Sequence, residues 1–154
     1  MKKLILASFA LLALAACETS TSSNGSASKG GSVNGFTCNV SSTENSVTIH
    51  ETYAGQTYTQ TQTVYMDNYG EYYSVFTTDI TFNDPAEAAE ECEDEQDEAR
   101  SWRDGSYQVE CTANSVHVWQ RDDSDYRDME RMAVKFQSMC DDGYQRAQNG
   151  TLGD

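Results

Sequence analysis

Four cysteines restrict the fold of this chain more than any other feature. They are Cys38, Cys92, Cys111 and Cys140, and a fifth, Cys17, ends an apolar run near the start of the chain. None of the spacings matches C-x-x-C or C-x-x-C-H, and no cysteine pair has a close histidine partner, so zinc, thioredoxin-like and haem sites are disfavoured. We expect no metal and no cofactor. An even number of cysteines indicates two disulfides if the chain is exported, which the start of the sequence predicts.

The first sixteen residues have the layout of a secretory signal. Lys2 and Lys3 form a short basic start, and residues 4–16 are uncharged and mostly apolar. The run is too short to span a bilayer, which takes about 20 apolar residues in a helix. We therefore expect residues 1–16 to direct export and then to be removed as a signal peptide.

The tetrad Leu14-Ala15-Ala16-Cys17 resembles the lipobox of bacterial lipoprotein precursors. The resemblance implies that Cys17 receives a diacylglycerol and becomes the new N-terminus; the alternative is an ordinary signal peptide with a chance cysteine. Two or three acyl chains hold a protein stably on a membrane, whereas one does not. The resemblance places the protein in the cell envelope. In the familiar sorting pattern, aspartate directly after the modified cysteine favours retention in the inner membrane. This chain has Glu18 at that position, which favours the outer membrane.

A flexible tether and one acidic domain follow. Residues 17–34 are rich in serine, threonine and glycine, and such a segment cannot bury enough apolar surface to order itself. Residues 35–154 are the size of a single domain, which we expect to be monomeric. The formal net charge of −15 becomes −17 once Lys2 and Lys3 are removed. A domain this acidic is repelled by nucleic acid and anionic lipid, so the lipid anchor must supply the membrane contact.

The pattern between residues 36 and 82 predicts a meander of four antiparallel strands. Phe36, Cys38 and Val40 alternate with polar residues, and Val47 and Ile49 repeat the alternation. The third strand, residues 57–66, has threonines on one side, and neither of its two sides is apolar along its whole length. This pattern is typical of a sheet edge or a solvated face, and leaves open whether the strand is at the edge or in the centre.

A strongly acidic helix follows the meander. The sequence predicts a helix that runs to about Trp102. Its start is indicated by Asp84 as N-cap, Pro85 at the first helical position and Glu87 at the third. Residues 87–98 contain eight carboxylates, and five like-charge pairs four residues apart cost roughly 1 to 2.5 kcal/mol before screening. The apolar stripe is thin, so we expect a disulfide to hold this helix. The stripe consists of Ala88, Cys92, Ala99 and Trp102.

A second hairpin and a second helix complete the domain. The hairpin directs Tyr107, Val109, Cys111, Val116 and Val118 toward the core, and apolar residues at helical spacing predict a helix over about residues 124–142. The order of elements predicts an α+β fold, an antiparallel sheet of about six strands with two helices on one face.

Element lengths favour one of the three possible disulfide pairings. From Cys92 the acidic helix rises about 15 Å, and the following strand returns about 20 Å, so Cys92 and Cys111 end at similar heights. We therefore expect Cys92 to pair with Cys111, which leaves Cys38 to pair with Cys140.

The hairpin, helix, hairpin and helix of a small lipid-anchored protein resemble the YehR-like bacterial lipoproteins. The resemblance covers only the order of elements and no specific motif. The four domain cysteines and the extra strands of this chain depart from that group. The group has no clear activity, so the resemblance implies no catalytic or binding residue.

No catalytic motif is present, and His50 and His117 are the only histidines. If Val116 and Val118 face the core, their neighbours on the same strand face outward. An outward tryptophan beside hydroxyls and imidazoles can stack on a sugar ring or receive a partner protein; the alternative is that a loop or strand covers it. The candidate binding residues are Trp119, His117, His50, Thr48 and Thr52.

Three functions are compatible with these features. The first is a lipid-anchored envelope protein that binds another envelope component, such as an envelope protein, without catalysis. The second is recognition of a polysaccharide through the Trp119 face. The third is an enzyme of unrecognised type, which would need a pocket enclosing carboxylates with strongly shifted pKa values.

Overall fold

The computed structural model of the chain describes residues 31–102, 104–123 and 129–152. The predicted signal peptide, Cys17 and most of the tether lie outside these residues. The order of elements confirms the predicted strand and helix sequence. The elements are β1 (Thr37–Ser42), β2 (Ser46–Tyr53), β3 (Gln56–Met66), β4 (Tyr72–Thr81), α1 (Pro85–Ser101), β5 (Tyr107–Cys111), β6 (Ser115–Asp122) and α2 (Met129–Asn149).

The six strands form one antiparallel sheet in the order β1-β2-β3-β4-β6-β5. The third strand is therefore central, with neighbours on both sides, and the edges are β1 and β5. Polar residues on β3 are compatible with this position because Gln62, which is fully buried, donates from Nε2 to Oγ of buried Ser74 on β4 at 3.1 Å. Just before β1, Val33 forms an isolated antiparallel bridge with Phe36.

Both helices pack on the same side of the sheet, which we call the inner face. The helix α2 covers β1 and β2, and α1 covers β5 and β6. The α+β fold with two helices on one face is thus confirmed. Tyr58 on β3 contacts both clusters of buried side chains. The first core contains Phe36, Cys38, Val47, Ile49, Phe136, Cys140 and Ala147, and the second contains Ile80, Phe82, Ala88, Val116 and Val118.

The two disulfides are Cys38–Cys140 and Cys92–Cys111, which confirms the favoured pairing. Each fastens one helix to an edge strand of the sheet. Their strand cysteines stand at opposite ends of one row that crosses all six strands on the inner face. The row is Cys38, Glu51, Tyr58, Ile80, Val116 and Cys111.

The start of α1 follows the predicted chemistry in part. The Asp84 carboxylate accepts a hydrogen bond from the backbone N–H of Ala86 at 2.8 Å, and Pro85 occupies the first turn. The Glu87 carboxylate accepts a bond from Gln56 Nε2 on β3 at 2.6 Å, and so joins the helix to the sheet. Of the predicted apolar stripe, only Ala88 is buried.

The prediction for the second helix was wrong at its C-terminal end. The helix continues to Asn149, beyond the predicted end at Asp142, while residues 124–128 lie outside the described part of the chain. Gly143 lies within the helix where the Phe36 ring approaches, and a Cβ there would overlap that ring. The apolar face then continues to Ala147, which is 2% exposed.

The five residues of the second hairpin that were predicted to face the core all lie on the inner face, but they differ in burial. Val116 and Val118 are buried, as expected, but Tyr107 and Val109 are half-buried and Cys111 is exposed. The reason is that β5 is an edge strand, covered on its inner side by α1 alone. Neither described helix is both long and apolar enough to cross a membrane.

Candidate binding face

The side of the sheet opposite the helices, here called the outer face, is the candidate binding surface. It consists of the odd-numbered residues of β1, β3, β4 and β6 and the even-numbered residues of β2 and β5, because alternate residues of these strands belong to the two cores. Neither of the two described helices packs on it. The candidates Trp119, His117, His50, Thr48 and Thr52 all belong to this face.

The five candidates do not form one cluster. Thr48, His50 and Thr52 lie on β2, whereas His117 and Trp119 lie on β6. The strands β3 and β4 separate the two groups, by about 14 Å across three strand spacings. The sequence thus predicted the correct side of the strands, and the structure adds the residues that stand between the two groups.

Residues of β3 and β4 link the two histidines into one row. Nδ1 of His50 lies 2.7 Å from Oγ1 of Thr59, and Nδ1 of His117 lies 2.7 Å from the Asp79 carboxylate. Thr59 and Asp79 are themselves cross-strand partners. A polar row therefore crosses the outer face, and each imidazole is oriented by a neighbour.

Hydroxyl pairs order the rest of this face. Three hydroxyl-to-hydroxyl hydrogen bonds join adjacent strands: Thr37 with Thr52 at 2.6 Å, Thr48 with Thr61 at 2.9 Å and Thr57 with Thr81 at 2.7 Å. Each hydroxyl can donate one hydrogen bond and accept two, so a pair retains capacity for a ligand while its rotamers are fixed. Nine threonines point this way, including all those predicted on one side of β3.

Sequence reasoning missed an aromatic stack at one end of the outer face. The rings of Tyr65 on β3 and Tyr73 on β4 stack with centroids 5.5 Å apart, and the Arg121 guanidinium lies 4.1 Å over the Tyr73 ring. Arg121 Nε also donates to the Asp123 carboxylate at 2.7 Å, which raises the pKa of Arg121. The alternation of side chains along β3 and β4 could have indicated that both tyrosines point outward. Only the strand register shows that they are cross-strand partners.

Charge is distributed unevenly between the two sides of the domain. The outer face of the six strands contains three side chains of the Asp, Glu, Lys and Arg types, namely Asp79, Glu110 and Arg121. By contrast, α1 contains eight carboxylates and one arginine. A dense block of acidic side chains thus lies on the helix side, and the outer face of the strands is close to neutral.

The carboxyl with the most strongly shifted pKa lies on the inner face. Burial raises the pKa of Glu51 to about 7, and the nearby Arg146 guanidinium opposes the increase. Oε1 of Glu51 lies 3.4 Å from Sγ of Cys38. Burial and the Glu51 charge also raise the pKa of Tyr58, the cross-strand neighbour of Glu51. A carboxyl and a phenol thus lie together beneath the helices, on the side of the sheet opposite both histidines.

One group of potential metal ligands lies at the same place. The side chains of Cys38, Glu51 and Cys140 approach one another closely enough to share an ion. The two sulfur atoms, however, are bonded to each other. A disulfide supplies no thiolate, so in the oxidised protein Glu51 is the sole anionic member of this group.

Comparisons of the chain with protein-family models, curated proteins and solved structures found no match. No relative therefore indicates a function, so the function proposed below is based on the geometry of the outer face.

Proposed function

We propose that this chain is an exported protein of the cell envelope, anchored to the outer membrane by lipid on Cys17, whose domain is a non-catalytic binding module. The anchor rests on the lipobox resemblance of Leu14-Ala15-Ala16-Cys17. The observation that carries the binding role is the outer face, a broad sheet surface with fixed hydroxyls, two imidazoles and aromatic rings, free of the two described helices.

Glu51, the carboxyl with the raised pKa, is separated from both histidines, which argues against a catalytic site that combines them; Asp79 and His117 pair on the outer face. General acid–base chemistry needs groups of suitable pKa within hydrogen-bond reach of one substrate. The carboxyl of Glu51 is held beneath α2 beside a disulfide, whereas His50 and His117 point from the opposite face. A substrate on the outer face would not reach Glu51.

The anchor is tested by Cys17→Ser in cells that incorporate a labelled fatty acid. We expect the parent protein to carry the label and to sediment with membranes, and the variant to lose both properties. A variant that remains acylated and membrane-bound would contradict the proposed anchor. Mass spectrometry of the mature N-terminus checks removal of residues 1–16.

The binding face is tested by a photo-crosslinking amino acid at Thr61, in the centre of the outer face. The matched control carries the same group at Glu93, which is exposed on α1. We expect adducts with an envelope component from position 61 and none from position 93 in intact cells. Equal adducts from both positions, or adducts from position 93 alone, would contradict the assignment of the outer face.

A further inference from the structure

We infer that the ligand of the outer face is a neutral, extended polysaccharide chain that contacts Trp119 at one end and the Tyr65 and Tyr73 stack at the other. The inference rests on the proposed function of this face and names the class of its ligand. It adds Tyr65, Tyr73 and Arg121 to the residues that the sequence indicated.

The composition of the face favours a glycan over a protein partner. The energetically dominant centres of protein interfaces are rich in tryptophan, tyrosine and arginine, which this face has only at its two ends, and poor in serine and threonine, whereas nine threonines occupy this surface. Sugars, in contrast, present hydroxyls that donate and accept, as the threonine pairs do. Because those pairs already fix the threonine rotamers, binding would cost little side-chain entropy.

Charge favours a neutral chain over an anionic one. The protein has a net charge of −15, yet the outer face carries only Asp79, Glu110 and Arg121 as charged side chains apart from its histidines. A polyanion would be repelled by the domain as a whole, and a polycation would be drawn to the acidic helix α1 instead. A neutral ligand is neither repelled by the acidic domain nor drawn to α1, so it is the class that best suits this nearly uncharged face.

The positions of the aromatic rings indicate an extended chain. Trp119 is the cross-strand partner of Thr77, and Tyr73 lies four residues along β4 from Thr77, about 13 Å at 3.3 Å per residue. A single sugar ring cannot cover that span. Val75, the outward residue of β4 between the two ends, is buried at 9% exposed and offers a ligand little surface.

The tyrosine end is held rigidly. The Tyr73 ring stacks on the Tyr65 ring and also contacts the Arg121 guanidinium, so two neighbours hold its position. Tyr65 is 45% exposed and therefore offers ring surface to a ligand. Aromatic side chains combine a large apolar face with a polar tip, which suits the mixed surface of a sugar.

The test measures binding of β-1,4-linked hexasaccharides of glucose and of N-acetylglucosamine, and of the corresponding disaccharides, by calorimetry on the full-length exported protein in detergent. We expect at least one hexasaccharide to bind about tenfold more tightly than its disaccharide, since two contact regions act together. Tyr65→Ala should weaken the hexasaccharide about tenfold and leave the disaccharide unchanged. Trp119→Ala should weaken both. Alginate, a polyanion, should not bind.

The control variant is Tyr69→Ala, which removes a tyrosine that is 91% exposed at the β3–β4 turn and should change nothing. Trp119→Leu accompanies Trp119→Ala because it keeps apolar volume if the smaller side chain impairs folding. The inference is overturned if no neutral oligosaccharide binds, if chain length has no effect, or if Tyr65→Ala and Tyr69→Ala behave alike. If position 61 forms adducts with an envelope protein and no glycan binds, the inference of a glycan ligand is overturned while the proposed binding function stands.

Discussion

The two helices of this protein are held to the sheet in different ways. The α2 side has a packed core in which Cys38 and Cys140 are 2% and 0% exposed, among Phe36, Ile49 and Phe136. On the α1 side the disulfide is at the surface, with Cys111 exposed and Cys92 half-buried. The first disulfide therefore reinforces a core, whereas the second fastens a helix that contributes one buried side chain, Ala88, to the second core.

The difference follows from the two helix sequences. Along α2, apolar residues recur at helical spacing, and Phe136, Cys140 and Ala147 are buried. Along α1, eight carboxylates leave room for one fully buried side chain, Ala88. Repulsion among those carboxylates costs roughly 1 to 2.5 kcal/mol, which a disulfide contribution of about 2 to 4 kcal/mol can offset. A covalent bond thus allows a helix to keep a charge pattern that packing alone would not support.

The largest effect is expected from the double variant Cys38→Ala/Cys140→Ala. This disulfide joins residues 102 apart, and the chain-entropy model gives about 4.7 kcal/mol for a loop of about that length. Loss of the buried sulfur contacts adds to the cost. Urea unfolding monitored by circular dichroism should show a loss of about 5 kcal/mol. A loss smaller than that of the other disulfide would contradict the distinction between the two sides.

A smaller and more local effect is expected from Cys92→Ala/Cys111→Ala. The loop spans 19 residues, for which the same model gives about 3 kcal/mol. Because repulsion on α1 is then unopposed, amide hydrogen exchange should accelerate in α1 and remain slow in α2. Added salt should restore part of the lost stability by screening the carboxylates. Equal acceleration in both helices, or no effect of salt, would show that packing holds α1.

Much of this architecture could be predicted from the sequence because it depends on local signals. Alternation defined the strands, Asp84 and Pro85 defined the start of α1, and element lengths favoured the disulfide pairing that the structure confirms. The end of α2 could not be predicted. The helix continues through Gly143, where the Phe36 ring leaves no room for a Cβ, and this contact depends on a residue at the other end of the domain.

For a related reason, the sequence did not predict that β3 is central or which residues complete the outer face. A strand that is apolar on neither side does not specify its neighbours, so its register cannot be derived from pattern alone. The burial of Gln62 depends on Ser74, which lies on another strand. The stack of Tyr65 on Tyr73 depends on the same register, so strand alternation identified Trp119 but not the tyrosines.

The smallest effect concerns Glu51, beside the buried disulfide on the α2 side. Burial raises its pKa from 4.5 to about 7, so between these values the folded protein retains a proton that the unfolded chain releases. The stabilising contribution is complete below about pH 4.5 and is lost as the pH rises through 7. With allowance for the partial exposure of the side chain, the loss should be roughly 2 kcal/mol.

Glu51→Gln should remove this pH dependence, because glutamine stays neutral. Unfolding free energies of the parent and the variant should agree near pH 4, and the variant should be more stable near pH 8 by roughly 2 kcal/mol. The control is Glu44→Gln, at an exposed carboxyl in the β1–β2 turn, which should leave the profile of the parent unchanged. A variant that follows the parent at every pH would mean that Glu51 is solvated when ionised. The α2 side would then be less tightly closed around its disulfide than the contrast with α1 requires.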